Sequence, residues 1–187
     1  MGKWFRLEND ADQANVRFIS ESMDDLDVVS YHEVEDNGPR RRVSCIEERC
    51  PLCKVGAQDT PIGKRRVSVF FALVDRRDGN VKFWERSMWS VEKELKAALE
   101  RARPICGREF NIMRRGAKGD RQTRYNIFPE QDDGTTIDKL PPRPPLFGDE
   151  GVIAELSRSE LEEIVARIMT PDVPRTERAV AQGADVF

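Results

Sequence analysis

Over most of the first 130 positions, short runs alternate apolar and polar residues, a period that predicts β-strands rather than helices. Such runs occupy 4–7, 16–20, 28–34, 65–74, 81–84, 110–115 and 121–128. The strongest is Arg65-Arg66-Val67-Ser68-Val69-Phe70-Phe71-Ala72-Leu73-Val74, rich in β-branched and aromatic residues. Asp78-Gly79 follows it as a hairpin turn that returns the chain along 81–84. The period changes once, over 87–102, where Met88, Val91, Leu95, Leu99 and Ala102 recur at helical spacing; Pro104 and Gly107 then end the helix. Several short strands, one helix and no βαβ alternation predict a mainly β fold, an OB-like five-stranded barrel with Greek-key connections.

The pattern changes again after residue 128. Five of the eleven prolines fall in 129–151, including Pro141-Pro142-Arg143-Pro144-Pro145, which predicts an extended linker. Ser157-x-x-Glu160 and Ser159-x-x-Glu162 are capping boxes ahead of an apolar stripe, Leu161, Ile164, Val165 and Ile168, that Thr170-Pro171 stops. The predicted organisation is a core over 1–128, a linker over 129–151, and a helical, acidic C-terminal tail over 152–187. The tail end is expected to be disordered, with Phe187 at its tip to recruit a partner protein.

At 187 residues, one folded domain with appendages is expected. No apolar run approaches the roughly 20 residues that span a bilayer, and the first residues lack the apolar stretch of a signal peptide. A soluble protein of the host-cell cytoplasm is the expectation. The formal net charge of −3 conceals a strong asymmetry: residues 1–37 net −7, residues 38–125 net +11 and residues 126–187 net −7. A basic body between acidic ends predicts polyanion binding, with acidic segments that screen the body or bind partners.

Three of the four cysteines, Cys45, Cys50 and Cys53, lie within nine residues; the fourth is Cys106. In a reducing compartment disulfides are disfavoured. Cys50-Pro51-Leu52-Cys53 places two thiols at a tight turn. With Cys45 and the single histidine, His32, the spacing is His-x12-Cys-x4-Cys-x2-Cys. That is a complete Cys₃His tetrahedral set for one Zn²⁺, and four protein ligands make the ion structural, since a catalytic zinc keeps a position open for water. The knuckle should span about 32–56, inserted between strands. A thioredoxin-like redox pair would need a βαβ context that is missing here. A zinc deaminase would show His-x-Glu with proline before the first cysteine of the pair, whereas here Val34 stands in the third position and Pro51 follows Cys50.

Within the basic body, cations and aromatics interleave. Arg40, Arg41 and Arg42 precede the knuckle. Lys64, Arg65 and Arg66 open the strand carrying Phe70 and Phe71. Lys82 and Trp84 share the next strand, while Arg114, Arg115, Lys118, Arg121 and Arg124 surround Tyr125. Cations that meet phosphates and aromatic faces that stack on unpaired bases point to single-stranded nucleic acid. Trp84 and one of Phe70 and Phe71 are the expected stacking side chains.

Taken in order, these residues resemble a known family. The matching segments are Trp4-Phe5-Arg6-Leu7, Val16-Arg17-Phe18-Ile19, Tyr31-His32-Glu33-Val34, Arg41-Arg42-Val43-x-Cys45 and Cys50-Pro51-Leu52-Cys53. Val81-Lys82-Phe83-Trp84-Glu85, Arg108-Glu109-Phe110-Asn111-Ile112 and Thr123-Arg124-Tyr125 follow. Over residues 1 to about 130 the chain resembles the zinc-containing single-stranded DNA-binding proteins of tailed phages, the T-even helix-destabilising family. The resemblance implies an OB fold with a zinc subdomain, cooperative coating of single strands, and roles in phage DNA replication, recombination and repair. It also carries the metal role onto His32, Cys45, Cys50 and Cys53. The gap between Cys45 and Cys50 is shorter than in T-even members, and residues 1–37 are acidic where those have a basic arm. No catalytic residue is expected: with His32 a ligand, no histidine remains for chemistry. The alternative is a zinc-dependent regulator that binds duplex DNA, which would need a base-reading helix; the outer face of 87–102 is Glu/Lys-rich instead.

Overall fold

A computed structural model describes residues 3–35, 39–56, 62, 64–120 and 122–169. Arg121 and Phe187 therefore lie outside the described residues. The protein is mainly β. Its strands are β1 (Gln13–Phe18), β2 (Asp27–Val34), β3 (Arg41–Ser44), β4 (Arg66–Asp75), β5 (Asn80–Ser87), β6 (Phe110–Arg115) and β7 (Arg124–Pro129). They form one antiparallel sheet in the order β3-β2-β4-β1-β6-β7, with β5 on the second edge of β4. The helices are α1 (Pro51–Val55), α2 (Met88–Ser90), α3 (Lys96–Arg101) and α4 (Arg158–Met169), and a π-helical turn, Val91–Leu95, joins α2 to α3.

β4 organises the sheet. Its first half pairs with β2, with Val28 opposite Val69, and its second half pairs with β1, with Arg17 opposite Val74. β5 runs along the whole of its other edge, from Asp75 opposite Asn80 to Ser68 opposite Ser87. The nearly continuous apolar run in β4 is that of a strand buried on both faces. Val69, Phe71 and Leu73 enter one core with Phe18, Trp84, Leu95, Leu99, Phe110 and Ile112. Phe70, Ala72 and Val74 enter a second with Tyr31, Phe83, Leu146 and Ile153.

The sheet curls so that its unpaired edges approach without joining. Among the described residues no backbone ladder links β5 to β7, so the hydrogen bonds describe an open sheet rather than a closed five-stranded barrel. Side chains cross the seam instead: the rings of Trp84 and Tyr125 meet edge to face at 5.4 Å. The predicted helical stripe is realised, with Val91, Leu95 and Leu99 buried against this core.

Residues 130–151 are irregular apart from a 3-10 turn, Ile137–Lys139, and they are held against the body. Arg143 donates to the Asp25 carbonyl at 2.8 Å and pairs with Asp27, while Leu146 is buried in the second core. The chain then joins the outer edge of β3: the Ser44 amide donates to the Ala154 carbonyl and the Ala154 amide to the Arg42 carbonyl, both at 2.9 Å. Ser157 caps α4, its backbone amide donating to the Glu160 carboxylate at 2.7 Å in the predicted capping box. No helix among the described residues is long and apolar enough to cross a membrane.

Candidate metal centre and basic aromatic groove

Local structure brings the four candidate ligands together. His32 stands on β2 opposite Val43 of β3, so it lies beside the strand whose continuation carries Cys45. The Cys45 amide donates to the Ser30 carbonyl at 2.9 Å, which fixes that continuation. The intervening loop turns through Glu47 and Arg49 in the left-handed region. Cys50 then precedes α1 as its N-cap, Pro51 supplies the fixed φ suited to the first helical turn, and Cys53 points back from inside that turn.

The ligand atoms of His32, Cys45, Cys50 and Cys53 all lie within 4.8 Å of one another. His32 Nε2 is 3.3 Å from Cys53 Sγ and 3.8 Å from Cys50 Sγ, and Cys45 Sγ is 3.6 Å from Cys53 Sγ. A tetrahedral zinc site, with bonds of about 2.3 Å to sulfur and about 2.0 Å to nitrogen, has edges of roughly 3.5–3.8 Å. The three distances of 3.3–3.8 Å are close to those edges and no pair exceeds 4.8 Å, whereas sulfurs 3.6 Å apart are far outside bonding distance for a disulfide. Three thiols and an imidazole are also the donor set that a soft or borderline divalent ion prefers. These residues could hold one metal ion.

The electrostatics agree. Burial, the hydrogen bond with Cys45 and the neighbouring charge of Cys50 push the Cys53 thiol up to about 12. Several thiolates crowded into an apolar pocket repel one another, and a divalent cation removes that penalty while displacing the protons. The pocket is apolar because α4 covers it: Leu161 and Ile164 pack with Val34, Val43, Cys45, Cys50, Leu52 and Ile62. Arg158 reinforces the cover by donating to the Arg49 carbonyl at 2.7 Å. Cys106 lies apart, a buried thiol that donates weakly toward the Thr135 carbonyl at 3.9 Å.

A second feature lies where the chain's start crosses β5. Lys3 and Phe5 exchange backbone hydrogen bonds with Phe83, and the N-terminal segment then diverges from the strand. The divergence opens a groove of about 300 Å³ between residues 4–8, the end of β5 and the β6–β7 hairpin. Five cations line it, Arg6, Arg42, Arg86, Arg114 and Lys118, against two carboxylates, Glu8 and Glu85. Aromatic walls come from Trp4, Phe5, Trp84 and Tyr125.

The groove cations are placed on aromatic faces. Arg42 lies 4.3 Å over the Trp4 ring and is braced by Glu85 at 2.6 Å. Glu85 is held in turn by Ser68 and by the Tyr31 hydroxyl. Arg86 lies 4.1 Å over the Tyr125 ring. Arg114 donates to the Tyr125 hydroxyl, to the carbonyls of Leu7, Gly116 and Ala117, and to Thr123, with no carboxylate among these partners. Burial lowers the pKa of Arg86; Tyr125 and the Glu94 carboxylate oppose that shift, and the charge of Arg114 adds to it more weakly. An arginine nevertheless stays protonated, so the groove floor keeps a positive charge that the protein only partly neutralises.

Of the residues expected to bind DNA, Arg42, Trp84, Arg114, Lys118 and Tyr125 meet in this groove. Phe70 and Phe71 do not: both are fully buried, so neither can stack on a base. One of the pair would face outward in a sheet with an open side, but from Ser68 to Asp75 β4 is buried on both faces. Trp84 is 4 % exposed and packed among Phe5, Phe18, Phe71 and Tyr125, so it forms wall and core rather than an open stacking platform. Lys82 is turned to Asp75 and Asp78 in ion pairs of 2.8 and 2.7 Å. Arg40 and Arg66 pair with Glu33, and Arg65 pairs with Glu47. Arg41 and Lys64 are exposed elsewhere, and Arg115 and Arg124 lie on the outer sheet face. Trp4 and Arg6 lie outside the expected set, since only the crossing of distant segments brings them to the groove; Arg86, which with Lys82 flanks Phe83-Trp84 in the basic body, joins them there.

No protein-family model matches the chain, and no curated protein matches it.

Proposed function

We propose that the protein is a non-catalytic single-stranded DNA-binding protein whose groove between Trp4 and Tyr125 holds the unpaired strand. The observation that carries this reading is the pairing of guanidinium groups with aromatic rings in one open groove: Arg42 over Trp4 and Arg86 over Tyr125. Cations that neutralise phosphates next to π-faces that stack on bases suit a strand whose bases are free, whereas a duplex hides its base faces. In this reading the curled sheet is an OB-like barrel whose β5–β7 seam is closed by side chains. The Cys₃His cluster binds one structural Zn²⁺ that orders the inserted knuckle. The T-even-like role follows, coating unpaired phage DNA in the host cytoplasm during replication, recombination and repair, with the C-terminal residues recruiting partner enzymes.

Tryptophan fluorescence tests the reading directly because Trp4 lines the groove. Titration with oligo-dT and with a duplex of equal length, across a salt series, should show strong preference for the single strand. The log–log salt slope should be about 0.7 per phosphate neutralised. Equal or tighter duplex binding would overturn the proposal in favour of a duplex-binding regulator.

A further inference from the structure

On the outer face of the β6–β7 hairpin, Arg115 and Arg124 are direct cross-strand partners, and both are exposed. Like charges directly opposite on one face destabilise a sheet, because their Cβ atoms are only about 5 Å apart. Elsewhere in the basic body arginines are matched with acids, as in Arg66–Glu33, Arg76–Glu109 and Arg108–Asp132. Among the described residues, no carboxylate pairs with Arg115 or Arg124.

The same face carries an exposed aromatic. Arg124, Asn126 and Phe128 alternate outward along β7 while Tyr125 and Ile127 point into the core. Phe128 is 49 % exposed, one of the few large apolar side chains left open to solvent. Four residues of strand separate it from Arg124, a distance of roughly 13 Å, which spans about two nucleotides of extended strand. Asn111, opposite Phe128, donates to the Asn15 side chain at 2.8 Å, and Asn126 stands opposite Met113. Among the described residues, the face between the two ends thus carries Asn126 beside the half-buried Met113 and no acid.

The groove and this face meet at the hairpin tip. Arg114 and Tyr125 point inward to the groove, Arg115 and Arg124 point outward one residue away, and Lys118 stands exposed at the tip between them, in a solvent-exposed ion pair of 3.1 Å with Glu8. We propose that this outer face is a second polynucleotide subsite. A single strand leaving the groove crosses the tip, places phosphates between Arg115 and Arg124, and stacks a base on Phe128. The proposal rests on the reading of the groove as a single-strand site and extends the occupied length beyond it. It also accounts for the opposed arginines, since a phosphate between them turns a repulsive pair into a clamp.

The test compares wild-type protein with R115Q/R124Q and, separately, with F128S, in binding to dT oligonucleotides of about 4 to 16 residues. All three side chains are exposed, and melting curves confirm folding; R115Q/R124Q should melt at or above the wild-type temperature because a repulsion is removed. The shortest oligonucleotides, which fill only the groove, should bind all three proteins alike. With longer ones wild-type affinity should rise, and the rise should be lost in R115Q/R124Q together with about 1.4 of the salt slope, the share of two phosphates. F128S should lose about tenfold in affinity for the longer oligonucleotides only. Wild-type length dependence and salt slope retained in both variants would overturn the second subsite while leaving the groove intact. Failure of wild-type protein to bind any of the oligonucleotides would overturn the groove reading and the subsite with it.

Discussion

Arg86 lies 4.1 Å above the ring of Tyr125, although the strands that carry them share no backbone hydrogen bond. Glu94 completes the bridge: its carboxylate accepts from the Tyr125 amide at 3.3 Å and from the Ser90 hydroxyl at 2.8 Å, and lies 3.8 Å from Arg86. Glu94 sits within the π-helical turn Val91–Leu95. Such turns insert a residue and reorient side chains, often beside functional sites. The seam that backbone pairing leaves open is thus tied by one arginine, one tyrosine and one glutamate.

Arg86→Met should therefore weaken strand binding more than it weakens the fold. The substitution replaces the guanidinium over the ring with an uncharged, flexible apolar side chain. Affinity for oligo-dT should fall about tenfold and the salt slope by about 0.7, as read by fluorescence titration. Trp4→Ala should cause a similar loss by removing a stacking face, and Trp4→Phe should recover most of it.

The metal centre should contain one zinc ion per chain, measured by native mass spectrometry. Chelation should raise hydrogen exchange in β3, α1 and α4 together, because α4 covers the ligands. Cys53→Ser should do the same without a chelator. Since the Cys53 thiol is raised to about 12 in the ion-free cluster, binding displaces protons. Metal affinity should fall as pH is lowered, and zinc titrations in weakly buffered solution should acidify it. A chain that retains free thiols and binds no ion would contradict the site.

Leu161 is wholly buried against Cys45, Cys50 and Leu52, so Leu161→Ala should cost about 3 kcal/mol in urea unfolding of the holo protein. Linkage adds a second consequence. If the ion stabilises the docked helix, the docked helix stabilises the bound ion by the same free energy. The variant should release zinc to a competing chelator at lower chelator concentration than wild type.

Asp75 is fully buried at the β4–β5 turn with Arg77 and Lys82 at 2.7 and 2.8 Å. Burial alone would raise its pKa, but the two cations and their hydrogen bonds outweigh it and bring the pKa down to about 2. The unfolded value is about 3.9, so this carboxylate contributes on the order of 2 kcal/mol of stability above pH 4. That contribution disappears as pH falls through 2. Asp75→Asn should lower stability at neutral pH and flatten the dependence between pH 4 and 2, measured by denaturant midpoints.

The two candidate sites differ in how far the sequence reveals them. His32, Cys45, Cys50 and Cys53 lie within 22 residues, and their spacing reflects the turn that gathers them, so the set is legible before any fold is known. The groove joins Trp4 and Arg6 to Arg42, Arg86 and Arg114, and only the crossing of the N-terminal segment over β5 brings these together. Most strand positions and the helical stretch of 88–101 follow from period, but β3 and α1 do not, and the predicted run 4–7 forms only a bridge from Trp4 to Phe83. The facing of Phe70 and Phe71 does not follow from period either, because alternation separates two faces without telling whether either is open. Here α4 and residues 140–154 supply a layer over the second face and the knuckle, far along the chain from the strands they cover.

That distance gives the metal cluster a history. Cys53 leaves the ribosome 108 residues ahead of Leu161, and at 5–20 residues per second the interval is roughly 5–20 s. Throughout it the three thiols and the imidazole exist without their apolar lid. The nascent chain is therefore both most open to capture of a metal ion and most vulnerable to oxidation, and the arrival of α4 covers the cluster. Cells starved of zinc during synthesis should accumulate chains oxidised at these cysteines, whereas chains completed before starvation should keep their metal.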